Sequence, residues 1–276
     1  MTWQGILELD EIKSLYFKTP RQAILFCLEA VKTNASQGQG RVASAWGRHA
    51  WNQSIRDKSA SQRIDCISQT LSILNQHKLY RFGSDFALAL CGAGLKQHNP
   101  KWVFEGVSFL FQHSNDTGMM LGYRYCHRHK IYLEDHGLAL EKNLPEVPPY
   151  GENFSYEDTE DELIFKLQTG WDPTNLEEEL DNLFCLAVEK NLDNLAQLLL
   201  DKGHPLNSVT FCDHSALHKA CLTDNLAAAR FLICEGLYPH KKDLNAKLAH
   251  ELAPKTSDWE QLWQNMLSVP SLTHST

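Results

Sequence analysis

No apolar run in this 276-residue chain approaches the roughly 20 residues needed to cross a bilayer, so the sequence predicts no membrane span. The opening MTWQGILELDEIKS carries acids where a secretory leader would carry basic residues and then an apolar stretch, which argues against a cleaved signal. Alternating runs that would mark strands are nearly absent. Eight cysteines are too sparse for a disulfide scaffold, and several sit among apolar neighbours in helical patterns. They read as reduced, mostly buried thiols, and the expected location is cytoplasmic. No phosphate loop is present: CGAG (91 to 94) lacks the GK[ST] ending, and its small residues suit a close helix crossing.

Basic charge is also scarce. The net charge is −8, and between Glu152 and Asp181 eleven acids face one base, Lys166, so that stretch contributes −10 and the rest about +2. Such a surface excludes nucleic acid as the expected partner. The acidic stretch reads as a solvated linker and helix face, with a patch for a basic partner as the other reading.

Apolar residues make up 43% and charged residues 22%, the composition of a folded globular protein. Helical stripes carry most of them. TPRQAILFCLEAVKT (19 to 33) has a Thr cap, a Pro at the first helical position and a stripe of Ile24, Cys27, Leu28 and Val31. A second stripe runs through Ile64, Ile67, Leu71 and Leu74. A third, behind an Asn-Pro start, runs through Val103, Val107, Leu110 and Phe111. LPEVPPYGEN (144 to 153) holds three of the ten prolines and marks an irregular connection.

Small residues recur with a fixed period. Gly137, Gly170, Gly203 and Gly236 are 33 apart, as are Ala187, Ala220 and Ala253. A Gly at the end of a helix supplies left-handed backbone, and an Ala on a helix face lets a neighbour approach closely. An apolar segment precedes each of those glycines: IYLEDHG, ELIFKLQTG, LAQLLLDKG and ARFLICEG. Stacked helical hairpins are the expected result.

On these residues the C-terminal half resembles the ankyrin repeat. SALHKA (215 to 220) matches its TPLHxA element, FLICEG (231 to 236) its second-helix ending, and GHPLN (203 to 207) the loop with its Asn207. LFCLAVEKNLDNLAQLLLDKG (183 to 203) fits without the TPLH turn, and LAHELA with DWEQLWQNML resembles a terminal cap, although its tryptophans are odd for a polar one. Upstream, GWDPT (170 to 174) and GLALEKN (137 to 143) resemble loop segments. The expected organisation is all-α: a helical domain over 1–116, a divergent ankyrin-like segment with acidic linker over 117–169, ankyrin-type repeats over 170–267 and a polar tail over 268–276.

The resemblance implies a protein-binding platform, in which loop tips and the exposed side of each first helix meet a protein partner. Carried over, those positions are Phe211 and His214 at one tip, Lys219 and Thr223 on the following helix, and Lys242 and Leu244 at the next tip. Phe211 is the expected anchor, unless it folds back onto its hairpin. The resemblance also makes His218 a hydrogen-bonding residue of the turn and Cys221 a small packing residue. Cys212, His214, His218 and Cys221 are accordingly not expected to hold zinc, and neither metal nor cofactor is expected. YCHRHK, with Cys126, His127 and His129, could form a ligand set only as a loop, because such neighbours share no helix face.

Two functional readings follow. The favoured one is a protein–protein interaction module. Hairpins attached to an unrelated helical domain, rich in Asn, Gln, His and Cys, resemble the effectors that intracellular bacterial pathogens deliver into host cells, and SVPSLTHST would suit a C-terminal secretion signal of the type IV kind. That resemblance implies a host protein as partner and the host cytosol as destination. The alternative is an enzyme whose N-terminal domain pairs Cys27, Cys66 or Cys91 with His49 or His98. WGRHAW (46 to 51) could line a ligand pocket or serve as core and rim.

Overall fold

A computed structural model describes residue 3 and residues 5–57, 59–111, 157–168, 183–207 and 213–267. Phe211, Cys212, the YCHRHK cluster, Gly137, Gly170, the proline-rich connection and the polar tail lie outside the described residues. Among the described residues the protein is all-α, with thirteen helices, one 3-10 turn and one isolated bridge between Lys242 and Leu248.

The N-terminal half contains α1 (Leu9–Tyr16), α2 (Pro20–Ser36), α3 (Gly40–Arg56) and α4 (Ala60–Gln76). A 3-10 turn (Tyr80–Gly83) then runs into α5 (Ser84–Lys96), and α6 (Pro100–Phe111) follows. From α2 onward, helical segments begin at residues 20, 40, 60, 80 and 100, a regular step that the apolar stripes alone did not disclose. Caps set this rhythm. Thr19 accepts from the Gln22 N–H while the Gln22 side chain returns to Thr19, and Ser59 accepts from Gln62. Lys78 and His98, at φ 56° and 51°, turn the chain after α4 and α5, and the N–H groups of Leu79 and Asn99 bond back to Leu74 and Gly94 at 2.8 Å. Where α5 crosses α6, a Cβ on Gly106 would meet Cys91 Sγ and Ala87 O, and one on Gly94 would meet Val103. Cys91 and Gly94 of CGAGL thus serve the close crossing expected of them, while Gly92 has nothing within 4 Å of an added Cβ.

The C-terminal half contains α7 (Glu160–Gln168), α8 (Leu183–Glu189), α9 (Asp193–Asp201), α10 (Ala216–Leu222), α11 (Leu226–Cys234), α12 (Ala249–Leu252) and α13 (Ser257–Leu267). Helices α8, α10 and α12 begin at 183, 216 and 249 and pack in one row. Helices α7, α9 and α11 begin at 160, 193 and 226, again in steps of 33. Left-handed backbone repeats with the same step: Asn191 with Asp224, Gly203 with Gly236, and Asp213 with Ala246. Gly203 and Gly236 have φ 87° and 92°, and the following N–H groups reach back to Leu199 and Leu232 at 2.9 Å. Buried alanines 187 and 220, with Ala249 and Cys221, allow the close approach within the row, whereas Ala253, the third alanine of the 33-residue series, is only half-buried just past the end of α12. In α13 both tryptophans are buried: Trp259 donates to Asp224 at 2.8 Å, and its ring stacks on Trp263. The end of the row is therefore covered by indole rings.

One continuous core joins the two halves. The seam between them is polar and buried, and WGRHAW supplies its centre. Arg48 Nε donates to the Glu235 carbonyl at 2.6 Å and Nη1 to Ser44 at 2.8 Å and Asp85 at 3.3 Å, while Arg41 pairs with the fully buried Glu235 carboxylate at 2.7 Å. Asn52 donates to Gly236 O at 3.0 Å, and Asp85 accepts from the N–H groups of Leu206 and Asn207. Trp46 is buried and Trp51 partly so, which makes them core and rim.

Candidate partner-binding face

The α8–α10–α12 row and the loops leading into it carry the residues assigned from the sequence. The local chemistry begins at Ser215, which caps α10. His218 Nδ1 lies 3.2 Å from the Ser215 N–H and 2.8 Å from its hydroxyl, and Nε2 lies 3.3 Å from the Lys247 carbonyl. Nδ1 therefore accepts and Nε2–H donates, a tautomer fixed by the backbone N–H at one end and the carbonyl at the other. Burial holds the His218 imidazole below its usual pKa and favours this neutral form.

The last described tip is built around Asp243. Its Oδ1 accepts from the N–H groups of Asn245 and Lys247 at 2.8 and 2.9 Å, its own N–H bonds to Lys247 O, and Lys242 faces Leu248 across the bridge. Against the burial that would raise it, these bonds and His214 hold the Asp243 carboxyl below the usual range. His214 Nε2 lies 3.3 Å from Asp243 Oδ2, and the His214 ring stacks on His218 with centroids 5.5 Å apart. Successive loops are thereby tied together.

The assigned positions divide into two groups. His214 is engaged with Asp243 and His218, and Lys219 holds Glu189 at 2.8 Å, so both brace one hairpin against another. Thr223 is exposed, its hydroxyl donating to Lys219 O at 2.9 Å. Lys242 is exposed, and Leu244, 64% exposed, stands beside it at the tip. Residue-type reasoning overlooked Asp243 and Glu189, the partners that fix His214 and Lys219. The Asp-Leu-Asn order at 243 to 245 was the available signal for the first, since Asp bonding to N–H groups just ahead of it is a turn former.

The thiols have a different character. Burial pushes Cys27 far up and raises Cys66, Cys221 and Cys234 to about 12, while Cys91 Sγ donates to Val103 O at 3.6 Å. In Cys27, Cys66, Cys221 and Cys234 burial therefore disfavours the thiolate, the form a nucleophile or metal ligand needs. Buried His49 is lowered to about 4 and its Nε2 faces Cys234 O at 3.4 Å, across the seam. Exposed His98 occupies a left-handed helix end. Among the described residues, no three His, Cys, Asp or Glu side chains gather as metal ligands.

The chain matches no family model, no curated protein and no solved structure.

Proposed function

We propose that the chain is a protein-interaction module whose C-terminal half is a short ankyrin-type array presenting its first helices and loop tips to a protein partner. The observation that carries this reading is the 33-residue recurrence of helix starts and left-handed turns, with His218 bonded to its own turn and to the next loop. A row built this way fixes the tips relative to one another, and a fixed array of tips binds without a large ordering cost. Thr223, Lys242 and Leu244 are the exposed members. Among the described residues Leu244 is the candidate anchor; Phe211, the anchor expected from the sequence, lies outside them. A host protein remains the proposed partner class, in keeping with the effector-like composition.

Capture from host-cell lysate tests the reading. Wild-type protein is compared with Lys242→Glu/Leu244→Asp and with Phe17→Ser, a substitution far along the chain. Loss of a captured protein only in the tip variant supports the array. Equal capture by all three proteins removes it.

A further inference from the structure

Helix α2 has two apolar faces, and only one of them is buried. The chain runs apolar through six consecutive positions, AILFCL (23 to 28). Ala23, Ile24, Cys27 and Leu28 enter the core, which leaves Leu25 outside at 63% exposure and Phe26 half outside at 49%, one side of its ring meeting Trp46 at 5.6 Å between centroids. Phe17, 79% exposed, projects from the corner between α1 and α2. Three of the seven large apolar side chains that the described residues leave exposed thus fall within ten positions. Scattered single exposures need no account, but such a cluster does.

The charges around this cluster are mostly basic. Lys18 follows Phe17, and its ammonium lies 5.6 Å from the Phe26 ring centroid, which ties the corner to the helix face. Arg21 is exposed one turn before Leu25. Glu29, the acid on this face of α2, is paired with Lys32 at 3.3 Å. Lys18, Arg21 and Lys32 against Glu29 leave +2 here, in a chain whose total is −8.

We propose that Phe17, Leu25 and Phe26 form a peripheral membrane-docking surface, inserting into the headgroup boundary of an anionic lipid leaflet while Lys18 and Arg21 meet the lipid phosphates and carboxylates. Projecting apolar side chains with cations beside them match such an interface, where the chain lies on the bilayer and does not span it. A basic patch on an acidic protein also orients it, because repulsion of the remaining surface favours approach by this corner. The proposal is independent of the loop-tip reading, since it uses the other end of the chain.

Co-sedimentation of the full chain with vesicles of phosphatidylcholine alone, and of phosphatidylcholine mixed with phosphatidylserine, tests it. Binding is expected to the mixed vesicles, falling with added salt. Lys18→Glu/Arg21→Glu should weaken it by at least about tenfold, in line with the contribution of two cations near an anionic surface. Phe17→Ser/Leu25→Ser, both at exposed positions, should abolish sedimentation with an unchanged circular dichroism spectrum and melting temperature. Leu222→Ser, an exposed substitution on α10, should leave it unaltered. Absence of binding to the mixed vesicles overturns the proposal. So does binding that survives Phe17→Ser/Leu25→Ser, or light scattering that shows this pair abolishing self-association while wild-type protein ignores lipid.

Discussion

His218 illustrates how much one side chain can hold. It is fully buried, and both ring nitrogens are engaged, one by Ser215 and one by the carbonyl of a residue 29 positions on. Substituting Ala would leave the Ser215 N–H and Lys247 carbonyl without their partner and open a cavity, so His218→Ala should cost about 2–4 kcal/mol in urea unfolding. Lys219→Met, on the same helix, removes only a partly exposed ion pair and should cost under about 1 kcal/mol. Equal costs would contradict the role assigned to the histidine.

The buried imidazoles also set a pH dependence. His49 and His204 are both lowered from 6.5 to about 4 by burial. The unfolded chain therefore takes up these two protons first as the solution is acidified. Their contribution is fully present above pH 6.5, declines as pH falls from there to about 4, and is lost below that. The urea midpoint should fall across this window, and His49→Gln/His204→Gln should flatten the decline. A wild-type midpoint that is constant from pH 7 to pH 4 would exclude this origin of acid sensitivity.

At the scale of the element, two kinds of turn residue are doing different work. Gly203 and Gly236 occupy left-handed backbone at close approach: a Cβ on Gly236 would lie 2.7 Å from the Arg48 Cβ, and one on Gly203 would run into the Arg81 carbonyl. Gly38 has the same sign of φ with nothing within 4 Å. Replacing Gly38 with Ala should therefore cost about 1 kcal/mol, the left-handed penalty alone, while Gly203→Ala and Gly236→Ala should each cost at least twice that. Thermal melts of the three variants decide whether the glycines serve the turn only or also the seam.

The spacing of those glycines was legible in the sequence because it follows from a local need, left-handed backbone after a helix. The cap at Thr19 and the helix start at Pro100 were legible for the same reason. The 20-residue step of the N-terminal helices was not. Two of its turns are made by Lys78 and His98 in left-handed backbone, and neither residue type announces that conformation. The pairing of His214 with Asp243 and of Lys219 with Glu189 was hidden as well, because each crosses from one hairpin to another. WGRHAW reads from the sequence as a ligand pocket or as core and rim; which surface it meets depends on tertiary docking that periodicity does not carry.

At the scale of the molecule, that docking should make the halves one folding unit. Arg41 and Arg48 both reach Glu235, whose side chain has no exposure to solvent, and Asp85 answers Arg48 while accepting two N–H groups from the loop after α9. Replacing Glu235 with Ala would strip the shared buried carboxylate from two neighbouring guanidinium groups, leaving Arg48 with Asp85 and Arg41 with the more exposed Asp201. A buried pair broken on one side costs about 3–5 kcal/mol, far more than the net worth of the intact pair. Because the same contacts bridge residues 194 and 187 positions apart, the loss should fall on the whole chain and not on one hairpin. Denaturant unfolding of Glu235→Ala should thus show one transition, shifted to lower urea, with tryptophan fluorescence and far-ultraviolet circular dichroism coincident. Arg41→Met introduced into that background should recover part of the stability by removing a mostly buried charge that has lost its buried partner and keeps only the more exposed Asp201. Two separated transitions, or no recovery in the double variant, would mean that the helical halves fold independently and that the seam is a contact made after each is complete.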